Sequence, residues 1–184
     1  MGIEVIPLEI ADVKIIKPKR FGDHRGFFSE VYNKQVFAAH GIDGDFVQDN
    51  HSLSGERGTL RGLHFQSPPF AQHKLVRVVR GSIFDVAVDL RRGSPTYARH
   101  VSAIVSAEEW NQILVPIGFA HGFMSLEPDT EVVYKVNAYY SPQNDRGIIW
   151  SDADLAIAWP LTPPVLSDKD QKLPRLSELV SPFE

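Results

Sequence analysis

The chain has 184 residues and a mass of 20.6 kDa, so we expect one domain spanning residues 1–184. Its net charge of −4 argues against a general nucleic-acid binder, which needs a basic surface. The absence of cysteine excludes disulfides, thiolate metal sites and a cysteine nucleophile. Acidic residues interrupt the first sixteen residues and no apolar run is long enough to span a bilayer. We therefore expect a cytoplasmic protein without a membrane partner.

Short apolar runs dominate the chain, and Gly, Pro, Asp or Ser bounds each of them, which is typical of strands. In chain order the runs are FFSEVYN, LVRVVRG, SIFDVAVDL, HVSAIV, NQILVP and TEVVYKVNAYY. Many short strands with few helices predict an all-β sandwich or barrel, and a small barrel around a polar pocket fits best.

Helical signals are few. NKQVFAAHG at residues 33–41 has a capping Asn, a helical middle and a terminal Gly, which predicts a short helix. SAEEWNQ at residues 106–112 begins with a capping-box pattern and predicts a turn or two of helix. The C-terminal stretch LSDKDQKLPRLSELV predicts turns and one short helix.

The run SIFDVAVDL has two different faces, because side chains alternate along a strand. The apolar face is predicted to pack in the core and comprises Phe84, Val86, Val88 and Leu90. The opposite face carries two carboxylates and is predicted to line a cavity: Ile83, Asp85, Ala87 and Asp89.

Three histidines are the candidates for a metal site. His121 lies in VPIGFAHGF, which resembles the second motif of the cupins. Metal-binding cupins have His-x-His and a nearby Glu in their first motif, whereas GLHFQ offers only His64. A divalent ion needs three or four well-placed ligands, so we expect no metal. His121 is predicted to lie in a pocket and His73 on the surface.

Proton transfer is a second possibility. His64 can gain and lose a proton near neutral pH and becomes a competent base when a carboxylate orients it. Asp168 and Asp170 in LSDKD could supply that carboxylate, and Tyr134 in VVYKV could donate a proton. A base and an acid on one pocket would allow stereochemical inversion. Taken alone, a packing tyrosine and a solvated acidic turn explain the same residues.

Anion binding is a third possibility. Arg25, Arg61 and Lys74 stand beside glycines or at strand starts. Guanidinium groups bind phosphate in a bidentate manner, and Gly26 and Gly62 allow close approach of the backbone. These residues could hold a diphosphate, and solvated loop residues are the alternative.

Seven motifs in order resemble the dTDP-4-dehydrorhamnose 3,5-epimerase family of the cupin superfamily, from about residue 6 to residue 170. They are FGDHRGFFSEVYN, FVQDNHS, GTLRGLHFQ, HKLVRVVRGSIFDVAVDLRRGSPTY, VPIGFAHGF, YKVNAYYSPQNDRGIIW and LSDKD. The resemblance implies a cupin-type jelly-roll barrel, a homodimer that exchanges N-terminal strands, and no metal or other cofactor. It also implies a dTDP-4-dehydro-6-deoxyglucose substrate that is inverted at carbons 3 and 5.

The resemblance assigns a role to individual residues. His64 matches the catalytic base, Asp170 its carboxylate partner, Tyr134 the acid, and Lys74 the group near the ketone oxygen. Substrate-contacting positions match Arg25, Glu30, Gln48, Asp49, Asn50, Arg61, His121, Asp145 and Lys169. Tyr139, or its neighbour Tyr140, matches an aromatic residue that packs on the thymine.

One position departs from the family pattern, which usually has Glu where this chain has Asp145 in NDRGIIW. The side chain is one methylene shorter, so a direct substrate contact could become water-mediated or be lost.

Four alternatives stay open at this stage. They are a relative that inverts one carbon or uses another nucleotide sugar, a 3,4-ketoisomerase, a non-catalytic sugar-nucleotide binding module, and a metal-dependent cupin oxygenase. The motif order disfavours the ketoisomerase. The combined presence of His64, Lys74, Tyr134 and Asp170 disfavours the binding module.

Overall fold

The computed structural model describes residues 2–184, and strands account for most of its regular structure. The strands are β1 Ile3–Pro7, β2 Lys14–Pro18, β3 Arg20–Asp23, β4 Gly26–Ser29, β5 Gln48–Ser54, β6 Leu60–Gln66, β7 Lys74–Arg80, β8 Ser82–Asp89, β9 His100–Ser106, β10 Gln112–Val115, β11 Phe119–Ser125, β12 Thr130–Val136 and β13 Asp145–Gly147. The helical segments are α1 Lys34–Ala38 and the 3₁₀ turns Asp170–Lys172 and Leu176–Glu178.

Two antiparallel sheets form the body of the molecule. One has the strand order β1-β2-β10-β7-β12-β5, and the other has the order β13-β6-β11-β8-β9. Val76 and Val132 from the first sheet pack with Ile83 and Ala87 from the second in one buried cluster. The sheets therefore face each other across a shared core, and the all-β jelly-roll prediction is confirmed.

Both faces of β8 are buried. The apolar face packs beneath the C-terminal segment, as Val86 and Val88 share a buried cluster with Leu176 and Phe183. The opposite face points between the two sheets and carries Asp85, which is fully buried. The C-terminal segment covers the outside of the sheet, so the carboxylate face is the one that faces the interior of the sandwich.

The helix predictions had mixed outcomes. Helix α1 forms, and the Asn33 side chain accepts hydrogen bonds from the Gln35 and Val36 N–H groups. The helix predicted at residues 106–112 is wrong, because residues 107–111 form the turn between β9 and β10. Ser106 does accept a hydrogen bond from the Glu109 N–H, but Trp110 has a φ of +53°, which no right-handed helix can continue through. No helix within residues 2–184 has the length and apolar character needed to cross a membrane.

Strands β3 and β4 form a separate hairpin with exposed aromatic residues. Phe21, Phe27 and Phe28 are 41%, 55% and 61% exposed. Phe27 contacts Trp110 of the main body edge-on, with ring centroids 4.6 Å apart. The hairpin thus leaves much of its apolar surface in contact with solvent.

Candidate active site

Two adjoining cavities lie at one end of the interior between the sheets. One has a volume of about 460 Å³ and the other about 250 Å³, and His64, Lys74, Tyr134 and Lys169 line both. These four side chains come from β6, β7, β12 and the C-terminal segment. The volumes suit a small ligand site.

His64 points into the cavities because of the alternation along β6. Its neighbours Leu63 and Phe65 are buried on the opposite face, beneath the C-terminal segment. His121 of β11 stands directly across from His64 in the strand register. The two strands approach closely at Gly62, where a Cβ atom would lie only 2.5 Å from the Gly122 Cα.

The His64 ring is paired with a carboxylate from the C-terminal segment. Its Nε2 lies 2.6 Å from the Asp170 Oδ1. Burial alone would raise the pKa of Asp170, but the hydrogen bond from His64 holds that pKa below its usual range. An ionised carboxylate can only accept hydrogen bonds, so Nε2 carries the proton and Nδ1 keeps a free lone pair. The pair can therefore act as a base.

Lys74 places an ammonium group beside this base. Its Nζ donates a hydrogen bond to the His64 backbone carbonyl at 3.3 Å. Burial lowers the pKa of Lys74 to about 8, while Asp145 and Asp85 act in the opposite direction. The side chain is therefore largely cationic at pH 7 but close to its titration range.

Tyr134 supplies a phenol to the same cavities. It lies between Val132 and Val136 on β12, and these two valines are buried on the inner face of the sheet. Burial raises the pKa of Tyr134, and the charge of Arg61 partly offsets this effect. The phenol therefore stays protonated at neutral pH and can donate a proton.

Cationic and ring nitrogen groups surround the larger cavity. Arg61 donates hydrogen bonds to the Leu53 carbonyl at 2.9 Å and to the Ser54 Oγ at 3.3 Å, which fixes its guanidinium group. His121 and Lys169 also line this cavity. With Lys74, they form a wall suited to a phosphate-bearing ligand.

The smaller cavity contains most of the remaining predicted contacts. Gln48, Asn50, Asp145 and Tyr140 line it, and the Asp145 carboxylate accepts hydrogen bonds from the Tyr140 hydroxyl and from Lys169. Tyr139, in contrast, is 66% exposed and is not in the wall. Of the two tyrosines left open by the sequence, Tyr140 is the one beside the cavity.

Three other predicted residues line neither of these two cavities. Asp49 alternates with Gln48 and Asn50, so its side chain lies on the outer face, where it pairs with Lys135 at 2.8 Å. Arg25 is exposed at the β3–β4 turn and pairs with Asp23 at 2.6 Å. Glu30 follows the same hairpin and lines neither cavity. Their predicted substrate contacts remain predictions.

His73 is not the surface histidine that the sequence predicts. It is partly buried, and its Nδ1 accepts a hydrogen bond from the Ile117 N–H at 3.2 Å. Burial lowers its pKa. Within residues 2–184, no three His, Asp or Glu side chains cluster as metal ligands.

Sequence reasoning missed several residues of the cavity wall. Ser52 and Ser167 line the larger cavity, and no motif distinguishes them from surface serines. Asp85 lies beneath the wall, where its Oδ2 accepts a hydrogen bond from the His121 Nε2 at 2.8 Å. The alternation along β8 predicted that this face lines a cavity, but Asp85 lies beneath the wall and lines neither cavity.

The chain is similar to known proteins along nearly its whole length. A family model described as dTDP-4-dehydrorhamnose 3,5-epimerase matches residues 7–178. An enzyme of that name from Sinorhizobium fredii is 55% identical over 178 residues, which is 96% of this chain and 91% of the relative.

Solved structures give the same result. The crystal structure of the Bacillus anthracis dTDP-4-dehydrorhamnose 3,5-epimerase with TDP and PPi bound has a TM-score of 0.93 and 53% identity, and the match covers 95% of this chain and all of that one. The dTDP-6-deoxy-D-glucose-3,5-epimerase of Legionella pneumophila, in complex with dTDP-4-keto-L-rhamnose, has a TM-score of 0.93 and 44% identity, covering 97% and 95%. The chain therefore belongs to the dTDP-4-dehydrorhamnose 3,5-epimerase family.

Proposed function

We propose that this protein inverts carbons 3 and 5 of dTDP-4-dehydro-6-deoxyglucose to give dTDP-4-dehydro-L-rhamnose, the precursor of dTDP-L-rhamnose. One observation carries the proposal: a His64–Asp170 base, a Lys74 ammonium and a Tyr134 phenol line one cavity. These are the base, the oxyanion stabiliser and the acid that epimerisation next to a ketone requires. Family membership supports the same activity.

Energetics explain why Lys74 is required. A proton next to a ketone has a pKa roughly ten units above that of histidine, so direct transfer is uphill by about 14 kcal/mol. A turnover of about 10 per second allows a barrier of only about 16 kcal/mol. The enolate must therefore be stabilised by several kcal/mol, and Lys74 beside the His64 carbonyl is placed to receive the negative oxygen.

His64 and Tyr134 divide the proton transfers. The Nδ1 of His64 removes the proton from one face of the sugar, and Asp170 stabilises the imidazolium that forms. Tyr134 returns a proton from the opposite face. Since the 4-ketone acidifies both neighbouring carbons, one base can act at carbon 3 and at carbon 5. The mechanism needs no metal or organic cofactor.

The larger cavity would bind the diphosphate through Arg61, His121 and Lys169. The smaller cavity would contact the rest of the nucleotide through Gln48, Asn50 and Tyr140.

The exposed β3–β4 hairpin supports a homodimer in which the hairpin of each subunit reaches the other, bringing Arg25 and Glu30 to the neighbouring cavity. Asp49, Tyr139 and Asp145 stay candidate substrate contacts. The proposal of a cytoplasmic location rests on the proposed role in making the precursor of dTDP-L-rhamnose.

Solvent exchange tests the function. The chelator-treated protein is incubated with dTDP-4-dehydro-6-deoxyglucose in deuterated water, and the sugar protons are followed by NMR. We expect loss of both the carbon 3 and the carbon 5 proton signals without added metal. Loss at carbon 3 alone would establish a single-carbon epimerase and remove Tyr134 from its role. No exchange at either carbon would contradict the proposed activity and favour a different nucleotide sugar or a binding module.

A further inference from the structure

Asp85 is the most deeply buried charged group near the cavities. It lies on the inner face of β8 and has no exposed surface. Its Oδ2 accepts a hydrogen bond from the His121 Nε2 at 2.8 Å. Its Oδ1 is also buried, and no hydrogen-bond partner satisfies it within the part of the chain that the structure describes. A buried carboxylate with an unsatisfied oxygen is costly, which calls for a functional reason.

We propose that Asp85 is a positioning residue of this site, which fixes the ring of His121 and supplies a buried negative charge that acts on Lys74. The inference rests on the proposed function, because it concerns how that site is kept ready for an anionic substrate and an enolate. Asp85 is too deeply buried to contact a ligand, so it acts only through these two side chains.

The first effect is geometric. His121 and Asp85 lie on the paired strands β11 and β8, where Ala87 is opposite His121 and Asp85 is opposite Phe123. The carboxylate therefore reaches His121 diagonally, from two residue pairs along the strands, and holds its Nε2. The other ring nitrogen, Nδ1, is left for a ligand in the larger cavity, which His121 lines.

The second effect is electrostatic, and the groups around Lys74 oppose one another. Burial has the largest effect and lowers the pKa of Lys74, as does Lys169 of the C-terminal segment, whereas Asp145 of β13 and Asp85 of β8 raise it. His64, His121 and Tyr134 line the same cavity. Since the pKa of Lys74 is about 8, a modest loss of negative charge would leave much of this lysine neutral at pH 7 to 8.

The Asp85→Asn variant tests both effects. The ¹³C shift of the Lys74 ε-carbon, identified by its loss in Lys74→Arg, reports the titration of the free protein without any turnover. We expect Lys74 to titrate roughly half a pH unit or more lower in Asp85→Asn than in the wild type. We also expect the alkaline limb of kcat/KM to move to lower pH, and KM for the nucleotide sugar to rise because a neutral amide accepts the His121 hydrogen bond more weakly than a carboxylate does.

Two further variants separate charge from packing. Asp152→Asn removes another buried carboxylate, one that accepts backbone hydrogen bonds outside the cavities, and should leave the Lys74 titration unchanged. Asp85→Glu keeps the charge and should restore the titration. If Asp85→Asn does not fold, His121→Asn leaves the Asp85 charge in place, and Lys74 should then titrate at the wild-type pH or above it.

An Asp85→Asn protein whose Lys74 titrates as in the wild type would overturn the inference, as would a lower Lys74 titration in His121→Asn. The proposed function fails separately, if the wild-type protein exchanges no sugar protons while its Lys74 titration still depends on Asp85.

Discussion

The His64 Nε2 lies 2.6 Å from the Asp170 Oδ1, although the two residues are 106 positions apart in the chain. The C-terminal segment brings them together by returning along the start of β6, where Val165 bridges to Thr59. Asp170 is also held by its own N–H, which donates to the Ser167 Oγ at 3.1 Å. The segment that covers the outer face of the sheet therefore also completes the base.

Asp170→Asn should lower kcat by roughly 10⁴-fold with little change in KM. The amide N–H can donate a hydrogen bond to the imidazole, which favours the wrong tautomer, and the substitution removes the charge that stabilises the imidazolium. Steady-state kinetics measure the effect. Asp168→Asn, at an exposed position of the same segment, should keep wild-type kcat. A fully active Asp170→Asn enzyme would remove Asp170 from the mechanism.

Tyr134→Phe should still exchange sugar protons but fail to complete inversion, most visibly at carbon 5. The variant keeps the His64–Asp170 base and loses only the phenol that returns a proton. NMR in deuterated water distinguishes exchange with retention from exchange with inversion. Tyr97→Phe, at a tyrosine that lines neither cavity, is the matched control. Normal epimerisation by Tyr134→Phe would require a different acid.

The pH dependence of kcat/KM, which reports the groups of the free enzyme, should show an alkaline limb near pH 8. The buried Lys74 has a pKa of about 8, and only its protonated form can stabilise an enolate. Activity should therefore fall as the pH rises through 8. In Lys74→Arg the limb should disappear from this range, at the cost of a lower kcat, because arginine does not deprotonate there. An unchanged limb in Lys74→Arg would assign it to another group.

Lys74 should also lower the free energy of unfolding of the protein. Its folded pKa of about 8 lies below the ordinary lysine value of 10.5, so the unfolded chain binds the proton more tightly. Stability then rises with pH between these two values, and at pH 7 the cost amounts to about 3 kcal/mol. Lys74→Met should raise Tm at pH 7 while abolishing turnover.

Thermal unfolding checks that prediction. Lys135→Met is the control, since Lys135 lies on the outer face of β12 in a surface pair with Asp49 and should give no such gain. A lower Tm for Lys74→Met would mean that the contacts of the wild-type lysine stabilise the protein by more than the burial of its charge destabilises it.

Local pattern predicted much of this molecule, and long-range packing decided the rest. The strands of β7, β8 and β12 follow from their apolar runs, and Asn33 marks the start of α1. The turn after Ser106 shows where local signals fail, because its capping pattern is real but strand β10 begins at Gln112. Tertiary pairing of the two flanking strands overrides the local helix signal there.

In the candidate site, too, the sequence predicted some features and only the fold revealed the others. Motif order identified His64 and Asp170 as partners, but only the fold places Tyr140 rather than Tyr139 beside the cavity and turns Asp49 outward. His73 is partly buried beside the backbone of Ile117, which is 44 residues away in the chain. No sequence pattern predicts this contact.

Gly147→Ala should displace Asp170 from His64, although residue 147 belongs to neither side chain of this pair. A Cβ atom at this position would lie 2.6 Å from the Leu63 carbonyl oxygen and 2.8 to 2.9 Å from the Leu173 side chain. Leu173 directly follows the 3₁₀ turn that carries Asp170, so relief of this clash moves the carboxylate away from His64. We expect a fall in kcat of at least ~10-fold together with a lower Tm. Gly55→Ala, which meets no atom within 4 Å, should change neither; equal effects of the two variants would contradict this explanation.

A mixture of two inactive variants should regain activity if the proposed dimer shares its sites. Arg25 lies on the exposed β3–β4 hairpin, away from the cavity of its own subunit, whereas His64 lies inside that cavity. In an Arg25→Ala/His64→Ala heterodimer, one cavity has its own His64 and receives Arg25 from the partner. Unfolding and refolding an equal mixture should therefore restore about one quarter of the wild-type sites, since half of the dimers are mixed and each has one intact site.

Activity of the refolded mixture, compared with each variant refolded alone, measures this recovery. Light scattering on the same samples establishes whether the chains form dimers. A dimeric mixture with no recovered activity would mean that Arg25 does not serve the neighbouring site, and a fully active Arg25→Ala protein would remove Arg25 from substrate binding altogether.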